Sequence, residues 1–114
     1  YYLYTLSPQD SSYLAKAEQL AATAYGLAPE EANILDTYGT ILLAQGQTTM
    51  AQLMLSQAVE RAEQIGKPNA GYIERLGDAY LQGGDQQAAL QQWQRAYELH
   101  PTEELQQKID KLTP

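Results

Sequence analysis

Residues 73–80 read Ile-Glu-Arg-Leu-Gly-Asp-Ala-Tyr, and after Gly84-Asp85 come Ala89, Trp93 and Ala96. Thirty-eight residues earlier the same order of side-chain sizes occurs. Leu35, Tyr38, Gly39, Leu42, Gly46, Ala51, Leu55 and Ala58 have as counterparts Ile73, Leu76, Gly77, Tyr80, Gly84, Ala89, Trp93 and Ala96. A self-match that keeps both glycines and both alanine pairs in register marks a repeat architecture, in which each copy buries its apolar face only by stacking on the next.

The spacing inside each copy has a mechanical reading. Leu35, Tyr38, Gly39 and Leu42 stand at i, i+3, i+4 and i+7, which is one stripe of an α-helix. Glycine in such a stripe costs roughly 1 kcal/mol of helix propensity. It is retained where a neighbouring helix comes too close for a side chain. Ala51, Leu55 and Ala58 form a second stripe, with small residues at the close contacts and a large one between them. Gly46-Gln47 and Gly84-Asp85 separate the stripes; glycine there can take the left-handed conformation that ends a helix, and Asp85 can cap the next. Each copy therefore reads as a helical hairpin.

Working outward, Ala17, Ala21 and Ala24 repeat the second stripe 34 residues before Ala51, Leu55 and Ala58, and this copy ends at Pro29 as the last ends at Pro101. Ser7-Pro8-Gln9-Asp10 reads as a turn, with Tyr1 to Leu6 as the tail of that hairpin's first helix. At the other end, Thr102 caps a helix whose early acids Glu103 and Glu104 suit its dipole. Leu105, Ile109 and Leu112 make its apolar stripe, while Gln106, Gln107, Lys108, Asp110 and Lys111 are expected to face elsewhere, solvating the open end of the stack. The expected organisation is one all-α domain over 1–114: a partial repeat 1–29, repeats 30–66 and 70–101, and a capping helix 102–112.

Composition narrows the function. Seven basic against fourteen acidic side chains give a net charge of −7, which repels phosphate backbones and anionic lipid. Nucleic acid and membrane surfaces are thus poor candidate partners, and a basic or neutral protein partner suits the chain better. The longest apolar opening, Tyr1 to Leu6, is too short to insert across a bilayer, which needs about 20 residues. Cysteine is absent, so there are no disulfides and no thiolate metal sites or nucleophiles. His100 is the only histidine, and no second metal ligand or nucleophile is arranged around it. Gly83-Gly84 lies between two helices with no strand before it and no Lys after it, so it is not a phosphate loop. No catalytic group, metal site or cofactor is expected.

The order large–large–Gly–large, then Gly, then Ala–large–Ala, then Pro, resembles the tetratricopeptide repeat, which implies that the antiparallel helical hairpins stack as a right-handed superhelix. The copy from Ile73 through Leu76-Gly77, Tyr80, Gly84-Asp85, Ala89, Trp93 and Ala96 to Pro101 carries the resemblance best. The middle copy departs from it, with Glu63 where the family usually has Pro and a period of 38 rather than about 34. The extra residues are assigned to a longer turn at Gly66-Lys67-Pro68-Asn69. Ile34-Leu35-Asp36-Thr37-Tyr38-Gly39, Glu74-Arg75-Leu76-Gly77-Asp78-Ala79-Tyr80, Trp93 and Lys108-Ile109-Asp110-Lys111-Leu112 are similar to C-terminal repeats of bacterial envelope-associated proteins of this family. That similarity implies a periplasmic or envelope-associated location, with the cytoplasm as the alternative.

The resemblance implies a scaffold or adaptor that receives a peptide or helix in a concave groove lined by the first helix of each hairpin. The residues opposite the packed stripes are Asn33, Asp36, Thr37, Thr40 and Leu43, and then Gly71, Glu74, Arg75, Asp78 and Leu81. They predict acidic walls beside an apolar strip, suited to a partner with Lys or Arg near hydrophobic anchors. Family members that clamp a C-terminal carboxylate use Lys, Arg and Asn here, whereas Arg75 is the only cation among these ten. Tyr1, Tyr2 and Tyr4 mark an N-terminal edge suited to self-association as a homodimer. The competing reading is a structural spacer whose groove stays empty. Asp36→Lys with Asp78→Lys should separate the two readings, abolishing capture while leaving the fold intact.

Overall fold

The computed structural model describes residues 10–113. Tyr1, Tyr2 and Tyr4, and the helix tail expected over Tyr1 to Leu6, lie outside them. The described residues form six helices: α1 Asp10–Leu27, α2 Ala32–Ala44, α3 Thr48–Gln64, α4 Ala70–Gln82, α5 Gln86–Leu99 and α6 Glu103–Leu112. The architecture is all-α, and the helices run as sequential antiparallel pairs, each packed on the next in chain order. None of them is long and apolar enough to cross a membrane.

The repeated stripes form the core. Leu35, Leu42, Ala51, Met54 and Ala58 make one cluster. A second comprises Leu55, Val59, Ile73, Leu76, Ala79, Ala89, Trp93, Ala96 and Leu105. Leu43 and Tyr72 pack against both, so the apolar interior runs on from hairpin to hairpin. Removing each large aliphatic side chain from water contributes about 1.5–3 kcal/mol. The two stripe glycines lie at the tightest crossings. A methyl group on Gly39 would meet Leu55 Cγ at 2.7 Å, and one on Gly77 would meet Trp93 Cδ1 and Nε1 at 2.5 Å.

The helix ends follow the expected chemistry. α2, α3 and α4 close with glycine in the left-handed region, Gly46 at φ 82°, Gly66 at 75° and Gly84 at 87°. At each, two backbone N–H groups fold back onto the last turn; Gln47 N reaches Leu42 O at 2.9 Å while Gly46 N reaches Leu43 O at 3.0 Å. The carboxylate of Asp85 accepts from Ala88 N at 3.0 Å, and the Thr102 hydroxyl accepts from Leu105 N at 3.1 Å. Glu30 and Glu31 fall just ahead of α2 rather than in its first turn, and Glu31 makes no side-chain cap. The longer period is shared between helix and turn. α3 has 17 residues against 14 in α5, so part of the insertion is an added helical turn and only the remainder lies in the connection to α4.

Candidate functional site

The first helices of the two described hairpins, α2 and α4, present the face expected to form the groove. Asp36, Thr37, Thr40 and Ile41 of α2 and Arg75 of α4 line one concavity of about 310 Å³. Arg75 Nε donates to Asp36 Oδ1 at 2.6 Å, tying α4 to α2, and its guanidinium lies 5.8 Å from the centre of the Tyr72 ring. Asp36 is the one buried charged group among the described residues. Burial pushes its carboxyl above the usual aspartate range, and the hydrogen bond and charge of Arg75 offset part of that rise. The Tyr72 phenol is raised too, by burial and then by the nearby Asp36 charge. Thr37 and Thr40 donate their hydroxyls back to the carbonyls of Asn33 and Asp36 at 2.8 and 2.7 Å. Asn33, Thr37 and Thr40 remain exposed.

A second tie joins α4 to α6. Lys108 Nζ donates to Glu74 Oε2 at 2.6 Å and to Asp78 Oδ1 at 3.0 Å, and it stands 5.6 Å from the centre of the Trp93 ring system. Trp93 Nε1 donates to Glu74 O at 3.2 Å and to Asp78 Oδ1 at 3.1 Å, so the buried indole has its polar atom satisfied. Burial raises the Asp78 carboxyl, opposed chiefly by the Lys108 hydrogen bond. For Lys108, burial acts to lower the ammonium, but the hydrogen bonds and charges of Glu74 and Asp78 outweigh it and hold the group above its ordinary value.

These contacts change the reading of the groove in two respects. Its acids are not free: Asp36 belongs to Arg75, and Glu74 and Asp78 belong to Lys108. Reversing Asp36 or Asp78 would leave the partner cation facing a like charge in a partly buried setting, so the fold would not be indifferent to it. The apolar strip is also uneven. Leu81 is 38% exposed, whereas Leu43 is half-buried and packs against both core clusters.

Lys108 was expected to face away from the stack, and it does not. Its register carried a signal, since Leu105, Lys108, Ile109 and Leu112 follow i, i+3, i+4 and i+7, which sets a lysine inside the apolar stripe of its own helix. Ile41 and Tyr72 are the other neighbours of this face that size-class matching passes over. Ile41 aligns with the small Ala79 and so has no counterpart in size, while Tyr72 aligns with Ile34, a large pair outside the eight positions that carry the repeat.

The six-helix arrangement is similar to a solved structure, the N-terminal domain of stress-induced protein-1 (STI-1) from C. elegans. The TM-score is 0.72 at 19% identity, covering 81% of this chain and 75% of that one. That domain is a tetratricopeptide-repeat domain, and at this identity the likeness is one of fold. No protein-family model matches the sequence, and no curated protein does either. The fold is thus of the tetratricopeptide type.

Proposed function

We propose that this chain is a non-catalytic protein-interaction module that holds a peptide or helix of a partner against the face formed by α2 and α4. The observation that carries this reading is the concavity lined by Asp36, Thr37, Thr40, Ile41 and Arg75, on the helices that the fold sets side by side. An aliphatic wall next to hydroxyls and a fixed guanidinium suits a segment that brings both an apolar side chain and polar backbone groups. Because the acids here are already ion-paired, a basic segment has less support in this groove than the composition alone gives it. Work as a scaffold in a bacterial envelope assembly is the narrower proposal and rests on the sequence similarity described above.

The same ion pairs favour one alternative, a spacer or self-association segment whose groove holds nothing, since they already serve the stack itself. Thr37→Trp with Thr40→Trp separates the two. Both positions are exposed, so the bulky rings fill the concavity while leaving the ion pairs in place. Under the interaction reading, proteins captured from extract by the wild type are lost with this variant while far-UV circular dichroism stays unchanged. Capture of an identical set by both proteins points to the spacer.

A further inference from the structure

Away from the groove, the edge of the stack where one hairpin passes to the next carries its own repeated pattern. α1, α3 and α5 each end, at the last helical residue or its cap, on an exposed aliphatic side chain: Leu27 at 83%, Ile65 at 53% and Leu99 at 44%. A proline follows each within three residues, Pro29, Pro68 and Pro101. Single exposed leucines are ordinary on protein surfaces. A row of them at successive hairpin ends, on an edge that also carries concave surface, is not.

Two notches open along this edge at equivalent places in successive hairpins. The first, about 170 Å³, has Leu35 in its wall with Pro29 and Glu60 beside it. The second, about 300 Å³, has Ile73, Pro68, Glu98 and the exposed Leu99. Leu35 and Ile73 are 38 residues apart, as are Glu60 and Glu98, so the notches repeat in chemistry as well as in position. Pairing leaves carboxylates over in both, Glu30 and Glu60 in the first and Glu98 in the second. Arg95 is taken up by Glu63, and Arg61 directs its donors to the Glu30 carbonyl and the Gln64 side chain. Glu60 and Glu98 have no ion-pair partner among the described residues.

We propose that this edge is a second interaction surface, taking a protein segment that carries two cationic side chains on an apolar background, one cation for each notch. A lysine or arginine suits each notch because its alkyl stem can lie along the rim aliphatics while its head meets Glu60 or Glu98. A second copy of this chain is the poorer occupant, because apposing two such edges sets glutamates against glutamates in a chain of net charge −7.

The test uses the 114-residue chain and three synthetic peptides of equal length: one alternating Lys with Leu, one with Glu replacing Lys, and one with Ser replacing Leu. Binding is read by fluorescence anisotropy and mapped by amide chemical shifts. The Lys–Leu peptide should bind and shift amides in 27–31, 60–68 and 95–101. Glu60→Lys with Glu98→Lys should weaken it by about tenfold or more, the scale of about 1.4 kcal/mol lost across two sites. Glu18→Lys with Asp110→Lys makes the same change of net charge away from this edge and should leave binding within about threefold of wild type, the scale of screened surface charge. Equal loss in both charge-reversed proteins, equal binding of the Lys–Ser peptide, or shifts confined to α2 and α4 would each overturn the proposal.

Discussion

Gly26 and Gly77 both sit within helices, and a methyl group would have opposite effects at the two positions. Nothing lies within 4 Å of where a side chain would start on Gly26, so Gly26→Ala should stabilise the fold by about 0.5–1 kcal/mol through helix propensity alone. At Gly77 the same methyl would enter the Trp93 indole at 2.5 Å and approach the Ala89 carbonyl at 3.2 Å. Overpacking should then outweigh propensity, and Gly77→Ala is expected to cost about 1–3 kcal/mol, read as a lower urea midpoint. The crossing glycines were legible because glycine inside an apolar stripe gives up helix propensity, and close helix approach is what offsets that loss. Lys108 was less so, since lysine usually marks a solvent face and its partners Glu74 and Asp78 lie 34 and 30 residues away. Its role has a pH signature. The folded-state value is raised above the ordinary 10.5, so the stabilisation is complete below 10.5 and is lost as pH climbs through the higher folded value. Lys108→Met should therefore be about 1–2 kcal/mol less stable than wild type at pH 8, where it strands Asp78, and the gap should narrow as pH is raised beyond 10.5. Asp36 and Asp78 follow the same sign, in the acid range. Their carboxyls are raised above 3.8, so as pH falls toward 3.8 the folded chain takes up these protons first, and their contribution to stability grows rather than shrinks.

Among the elements, α6 is the one whose ends are most fully specified. Thr102 caps it, Glu103 and Glu104 face its positive end, Lys111 lies in its last turn, and Leu105 is buried at 1% exposure. Thr102→Ala should cost about 1 kcal/mol, and hydrogen exchange should show the loss first in the amides of α6. Helix ends of this kind could be read from sequence because glycine, aspartate and threonine at them have local jobs. The exception is the end of α3. Glu60-Arg61-Ala62-Glu63-Gln64 contains only good helix formers, and no breaker precedes Gly66. The helix accordingly continues to Gln64, further than matching it to the 14-residue α5 implies.

For the whole molecule, the order of the stack was legible and the wiring across it was not. Size-class periodicity reports which faces are buried, but salt bridges between α2, α4 and α6 depend on crossing geometry that no spacing rule supplies. That geometry converts residues read as ligand-facing into residues that brace the stack. Arg75 and Lys108 tie helices across the stack like the stays of an arch, each to a different neighbouring helix. A stretched or flattened chain must lengthen both. In concentrated salt, where half-exposed charges are screened, the stays slacken and the arch should open more easily under load. A force probe pulling on both termini would register this as a softer spring at high ionic strength, and replacing Lys108 with methionine should soften it already in dilute buffer.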